Sequence, residues 1–335
     1  MIKIIVDAMG GDCAPQSMVY GCIEAVKKQE GFQVLLTGDE PQIRAILNEQ
    51  NYEGNRIEIY HTTELVTNDD EPSRIVKRKK DSSMVVAFRF LKEGKGDAVL
   101  SCGSTGALLA CSIMVLNRIR GVLRPALGTL LPTASGSALL LDCGLNATCK
   151  PTYYPQFAIM GSLYIKHLLG IEAPKVGLLN IGVETRKGPE YVQEAFQLLE
   201  QEEGLHFIGN MEGNEVIAGR ADVVVTDGFS GNILLKGIEG TAAFFVKQLK
   251  DIFHKNPITN LSGLMVQGEL QTLKQTVDVD VLGGAPILGV DGLVVKSHGN
   301  SKARTIEHAV LKCVALAKTN MVEELKKEFE KRRVE

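Results

Sequence analysis

No apolar stretch in this 335-residue chain approaches the ~20 residues that a bilayer-spanning helix requires, so a transmembrane protein is not expected. A basic excess is missing too. The 37 Lys and Arg stand against 40 Asp and Glu, for a formal net charge of -3, which argues against a dedicated nucleic-acid binder. The 7 cysteines, at positions 13, 22, 102, 111, 143, 149 and 313, include no CxxC pair; an odd, scattered set reads as reduced thiols of a cytoplasmic protein. The 6 histidines stand singly, so no clustered zinc site is expected and the expected metal content is none. Low-complexity linkers and internal repeats are lacking, and no signal peptide is expected, because residues 1–7 run straight into a strand pattern.

What is there is a globular composition, 44% hydrophobic and 23% charged, with length for two domains or one large α/β unit. Short β-branched runs at 3–7, 33–38, 56–60, 97–102, 126–131, 138–142, 175–181, 205–209, 222–226 and 292–296 alternate with helical patterns at 17–29, 41–50, 82–92, 105–118, 155–168 and 189–202. Alternation of this kind predicts a three-layer α/β/α fold with a largely parallel sheet covered on both faces. The adjacent runs 126–131 and 138–142 are too close for a crossover and predict an antiparallel hairpin, hence a mixed sheet. No clean boundary is visible, so residues 1–335 are expected to form a single α/β unit of two intertwined subdomains. Residues 301–333 read as a long helix or helix pair with a solvated, charged end.

The chemistry is concentrated in glycine-rich turns that follow strands. Val223-Val224-Val225-Thr226-Asp227-Gly228-Phe229-Ser230-Gly231-Asn232 joins a buried strand to a helix starting at Ser230, whose free N–H groups would attract an anion. Asp7-Ala8-Met9-Gly10-Gly11-Asp12 follows the first strand but lacks the G-x-G-x-x-G spacing of a dinucleotide site. Ser101-Cys102-Gly103-Ser104-Thr105-Gly106-Ala107 opens a helix with small residues and hydroxyls suited to phosphate, without the Lys-Ser/Thr pair of a nucleotide-binding P-loop; Ser104 can equally be a plain N-cap. Asn180-Ile181-Gly182-Val183-Glu184-Thr185-Arg186-Lys187-Gly188 offers cations, and Gly283-Gly284-Ala285-Pro286-Ile287-Leu288-Gly289 and Ser297-His298-Gly299 add a further glycine-rich turn and a histidine. Such turns converge on one cleft at the sheet edge in open α/β folds.

Taken in order, and with Lys79-Lys80-Asp81-Ser82-Ser83-Met84, these segments resemble the bacterial fatty acyl phosphate synthases, the acyl-acyl carrier protein:phosphate acyltransferases (PlsX family) of phospholipid synthesis, over essentially the whole chain. The resemblance implies an isocitrate/isopropylmalate dehydrogenase-like fold and a homodimer. It also implies conversion of acyl-acyl carrier protein and inorganic phosphate into acyl phosphate, without cofactor. It further implies a cytoplasmic protein, peripherally associated with the inner face of the membrane, whose product feeds a membrane glycerol-3-phosphate acyltransferase. Cys13 stands where many members carry His, Ser104 where Asn is common, Leu145 where Ala is common, and Thr148 where an acidic residue is frequent.

Phosphate is nucleophilic near neutral pH, so direct attack on the thioester needs only positioning, oxyanion stabilisation and a proton for the thiolate. The expected catalytic residues are Asn232 as oxyanion donor and Lys187 and His298 as sources of charge and proton. Phosphate and substrate are expected at Asp7, Gly10, Gly11, Gly103, Ser104, Thr105, Gly106, Asp227, Gly228, Ser230, Gly231, Gly283 and Gly284, the aspartates orienting donors. An acyl-enzyme on Cys13 or Cys102 is the disfavoured route. Lys77-Arg78-Lys79-Lys80 is a candidate docking run for an acidic carrier protein, or an ordinary solvated surface. Residues 241–273 interleave Phe244, Phe245, Leu249, Ile252, Phe253, Leu261, Leu264 and Met265 with lysines, and read as a helical protrusion for dimer or membrane contact. The competing readings are a phosphate acetyl- or butyryltransferase using acyl-coenzyme A, a metal- and NAD-dependent decarboxylating dehydrogenase, and a non-enzymatic scaffold.

Overall fold

In the strand Ile2–Asp7 (β1), Ile4 and Val6 pack into one apolar cluster and Ile5 into another, and all three are buried, so the sheet is covered on both faces. This is why the strands read as continuous apolar runs rather than alternating ones. The computed structural model describes residues 1–270 and 283–332. The remaining strands are β2 (Phe32–Gly38), β3 (Ile57–His61), β4 (Ala98–Ser101), β5 (Ala126–Thr133), β6 (Gly136–Leu141), β7 (Lys175–Leu179), β8 (His206–Met211), β9 (Val223–Val225), β10 (Ala285–Leu288) and β11 (Val294–Lys296). Among the described residues they form one 11-stranded sheet in the order β3-β2-β1-β4-β11-β10-β5-β6-β9-β7-β8.

Two parallel wings flank an antiparallel centre. β3, β2, β1, β4 and β11 run one way, and β6, β9, β7 and β8 run the other. β10 and β5 join them through three antiparallel pairings, including the β5–β6 hairpin. Helices Gln16–Lys28 and Ala303–Ala317 lie together on one face; a Cβ at Gly21 would stand 2.5 Å from the Ile306 Cβ. Helix Ser83–Lys92 covers the other face.

Several elements depart from expectation for local reasons. Ala285–Leu288, expected within a glycine-rich turn, is a strand: the positive φ values are confined to its flanking glycines, Gly283 and Gly284 before it and Gly289 after it, and the apolar residues between them slot between β11 and β5. The helix expected over 105–118 is α-helical only for Thr105–Cys111 and continues as a π-helical turn, Ser112–Leu116, which Asn117 ends at φ 74. Short helices at Pro72–Arg78 and Gly213–Ala218 carry too few periodic residues to be read from sequence. The C-terminal stretch is a pair, Ala303–Ala317 and Met321–Lys331; residue 333 of the expected span lies outside the described residues, as do 271–273 of the expected protrusion.

Candidate functional site

A cleft of about 260 Å³ opens across the middle of the sheet. Thr105, at the start of the helix after β4, stands on one side. Leu127 and Thr129 of β5, and Cys143 and Gly144 just beyond β6, belong to the other half. Helix Gly228–Phe253 contributes Asn232, Leu235 and Lys236, and the β10–β11 region contributes Gly284, Ala285, Lys296, Ser297 and His298. Four turns singled out in the sequence therefore reach one cleft, three of them after strands through Thr105, Asn232 and His298, and the glycine pair before β10 through Gly284.

Asn232 is held by a turn whose polar groups bond largely to one another. Asp227 caps the helix, which begins at Gly228 rather than Ser230: its Oδ1 accepts from Ser230 N at 2.7 Å, and its Oδ2 accepts from Ser230 Oγ and Tyr191 Oη at 3.2 Å each. Gly231 N donates to the Asp227 carbonyl and Gly228 N to the Asn146 carbonyl. The N–H groups of Gly228, Ser230 and Gly231 are thus occupied within the chain, and none of these residues lines the cleft. Behind them Asp142, fully buried, accepts from Leu127 N, Leu145 N, Asn146 N and Asn146 Nδ2 at 2.6–3.3 Å. Burial pushes its carboxyl up, and these bonds pull it back. A Cβ on Gly231 would land on the Asp142 carbonyl oxygen, so only glycine lets the helix approach this closely.

The first-strand turn is a brace behind the cleft. Ser101 Oγ donates to Asp7 Oδ2 at 2.7 Å and accepts from Gly103 N at 3.0 Å, while Met9 N donates to Asp7 Oδ1. Burial raises the Asp7 carboxyl against the bonds from Ser83, Ser101, Met9 and Gly10. A Cβ on Gly10 would stand 2.6 Å from Asp7 Oδ2, and one on Gly11, at φ 101, would stand 2.8 Å from the Gly299 carbonyl. Ser104 occupies the N-cap position without a side-chain capping bond, and Gly106 faces Pro72. Gly283 packs on the His308 carbonyl. Lys187 does not line the cleft: its side chain is 49% exposed, 4.0 Å from Glu184, on a loop braced by Asn180 Nδ2 donating to its carbonyl.

The cations in the cleft are others. Lys296 ends β11, and its Nζ donates to the Ser297 carbonyl at 3.2 Å; no carboxylate pairs with it among the described residues. Burial, with a smaller push from Lys236, lowers its affinity for a proton. Lys236 pairs with Glu239 at 2.6 Å, and Glu239 in turn stands 3.5 Å from His298 Nε2. Two ammonium groups, one lacking a counter-charge, beside two threonines and an asparagine amide make an anion-binding cleft. Neither lysine carries a local signal in the sequence: one lies inside a helix and the other ends a strand, where charges are ordinarily solvated. Burial pushes the thiols of Cys102 and Cys143 up to about 12, which disfavours a thiolate nucleophile in either. Among the described residues no group of three or more His, Cys, Asp or Glu is placed to hold a metal ion.

Residues 2–324 match the family described as "Fatty acid synthesis protein". The phosphate acyltransferase of Acetivibrio thermocellus is 51% identical over 332 residues, covering 99% of this chain and 98% of that protein. That of Alkaliphilus oremlandii is 44% identical over 324 residues, 97% of this chain and 96% of that protein. A phosphotransacetylase from Streptococcus pyogenes superposes with a TM-score of 0.64 at 16% identity, covering 94% of each chain. A branched-chain phosphotransacylase from Enterococcus faecalis V583 gives 0.55 at 17%, covering 94% of this chain and 99% of that one. At these identities the structural likeness is one of fold, a large α/β unit with a mostly parallel mixed sheet. Matched over nearly its whole length, the chain belongs to the fatty acid synthesis protein family and stands among phosphate acyltransferases, which are acyl-transferring enzymes.

Proposed function

We propose that the central cleft transfers an acyl group from acyl-acyl carrier protein to inorganic phosphate, giving acyl phosphate and free carrier protein. The observation that carries the reading is the pair Lys236 and Lys296, with the half-buried Lys296 lacking a carboxylate partner among the described residues beside Thr105, Thr129 and Asn232. Phosphate seated there screens the two ammonium groups from each other and turns an oxygen to the thioester carbonyl. Asn232 Nδ2 donates to the oxygen that gains charge as the tetrahedral centre forms. The C–S bond then breaks, and His298 protonates the leaving sulfur. Phosphate arrives already ionised, so no covalent enzyme intermediate is needed. The Asp227–Gly231 turn and the Asp7–Gly103 knot keep the two walls in place.

The protein works in the cytoplasm as a homodimer that touches the inner face of the membrane, where a glycerol-3-phosphate acyltransferase can take up its labile product. Support for a contact role comes from helix Gly228–Phe253 and helix Pro257–Met265: Phe244, Phe245, Leu261, Leu264 and Met265 are all more than half exposed. No helix among the described residues is long and apolar enough to cross a membrane. Exposed Lys77, Arg78 and Lys80 suit an acidic carrier protein, whereas Lys79 is pinned to Asp70 at 2.6 Å.

Incubating the pure protein with acyl-acyl carrier protein and labelled phosphate tests the reading, with labelled acyl phosphate as the expected product. Turnover confined to acyl-coenzyme A would transfer the assignment to a phosphate acetyl- or butyryltransferase, and absence of acyl phosphate from either thioester would overturn it.

A further inference from the structure

We infer that Glu239 is a positioning residue for acyl transfer, its carboxylate fixing the imidazole of His298 and the ammonium of Lys236 within the cleft. The inference rests on the phosphate acyltransferase reading and assigns a role to a residue that lies outside the cleft lining itself. Asn232, Leu235, Lys236 and Glu239 follow at i, i+3, i+4 and i+7 on helix Gly228–Phe253, so they share one face. Glu239 is the residue of this face that reaches across to the opposite wall. Its Oε2 lies 2.6 Å from Lys236 Nζ and its Oε1 lies 3.5 Å from His298 Nε2, with its side chain 26% exposed.

A carboxylate beside an anion site opposes phosphate unless cations neutralise it. Here Lys236 does so, and the His298 ring N–H with the Lys236 ammonium holds the Glu239 carboxyl below its usual range. The other ionisable groups facing this cluster are Lys296 of β11 and Cys143 beyond β6. The backbone under His298 is anchored: Ser297 N donates to the Ser101 carbonyl at 3.0 Å, and the Ser297 and Ser301 hydroxyls bond at 2.9 Å. The ring itself is 40% exposed, and the Glu239 carboxylate, 3.5 Å from Nε2, is its ion-pair neighbour. With Nε2 turned to Glu239, Nδ1 is the nitrogen left for the reacting groups.

The proton balance fits this arrangement. A phosphate oxygen forms the new C–O bond, the sulfur leaves with the C–S electron pair, and the imidazolium gives the sulfur its proton. The proton carried by hydrogen phosphate then returns to the imidazole, so the enzyme ends as it began.

Glu239→Gln keeps the side-chain volume and removes the charge. Relative to wild type in the labelled-phosphate assay, kcat should fall ~10–100-fold, as for loss of a residue that orients another. KM for phosphate should change much less, and the pH limb of kcat that reports the proton donor should move. Glu239→Asp should recover part of the loss. In a His298→Asn background, Glu239→Gln should cost less than a further ~2-fold, because the residue it orients is gone. The His298 imidazole resonances should shift and titrate differently in Glu239→Gln, a readout independent of turnover. Equal losses in both backgrounds, or unchanged kcat, pH profile and imidazole titration, would overturn the inference. If Glu239→Gln melts early, the Asp variant and the imidazole titration carry the decision. A wild type that makes no acyl phosphate would overturn the functional reading instead, and the imidazole titration would still decide whether Glu239 holds His298.

Discussion

Gly231 has no room for even a methyl group, because a Cβ there would meet the Asp142 carbonyl oxygen and lie 2.9 Å from Thr226 Cγ2. Both are backbone or buried groups with nowhere to go. Gly231→Ala should therefore lower stability by ~2–3 kcal/mol and, by displacing the next residue, Asn232, cut turnover more than the residual folded fraction explains. Thermal melting run beside acyl phosphate formation measures both. Lys312 makes a different kind of prediction. Its amine donates to the Gly284 carbonyl at 2.9 Å, and burial pushes it down to about 7 from 10.5. Between those two values the unfolded chain binds the extra proton, so this group makes stability rise with pH from about 7 to 10.5; below 7 both states are charged and its desolvation cost is fully present. Lys312→Met should flatten that rise by up to ~1.4 kcal/mol per pH unit, read from urea denaturation at a series of pH values. At this scale Asn232, His298 and Thr105 were legible, since each sits in or beside a strand-following turn, and Gly284 from its glycine pair. Lys236, Lys296 and Glu239 were not, because a lysine inside a helix or at a strand end looks like any surface charge until the sheet brings it to the cleft.

Helix Gly228–Phe253 joins two tasks on one rod. Its first turns are locked into the body, with Gly228, Gly231 and Leu235 buried, and the rest runs outward with no buried residue. Helix Pro257–Met265 packs back on it and buries none of its own side chains. Apolar residues left open on such a hairpin contribute nothing to the core, so replacing them should hardly alter folding. Leu261→Ser with Leu264→Ser should change stability by only ~0.5 kcal/mol per site. The same double variant should lose at least ~10-fold in co-sedimentation with anionic vesicles, since each leucine withdrawn from water is worth ~1.5–3 kcal/mol. Retained vesicle binding would remove the hairpin from the contact role. The alternating α/β pattern and the β5–β6 hairpin could be read in advance because their periodicity and short connection are local. β10 could not: four residues between glycines signal a turn, and it takes distant β5 and β11 to make them a strand.

The late position of β10 and β11 in the chain, against their place in the centre of the sheet, decides how the whole molecule should unfold. β11 lies beside β4 and β10 beside β5, so the C-terminal part of the chain is inserted between the two parallel wings. The helix that follows β11, Ala303–Ala317, packs on Gln16–Lys28 near the start of the chain, and Gly21 marks how close that contact is: a Cβ would meet Ile306 Cβ at 2.5 Å and the Ala303 carbonyl at 2.6 Å. This seam covers β1 and β4 beside the shared centre, so the first wing cannot lose it and keep its own layer of helices. Gly21→Val should push the two helices apart and destabilise the protein by ~1–3 kcal/mol. The loss should appear as one transition moved to lower temperature, with calorimetric and van't Hoff enthalpies still in agreement, and acyl transfer should disappear over the same interval because Thr105 and Lys296 lie on one side of the centre and Asn232 on the other. An early-melting half followed by an unshifted second transition would show that the wings fold independently despite the shared centre.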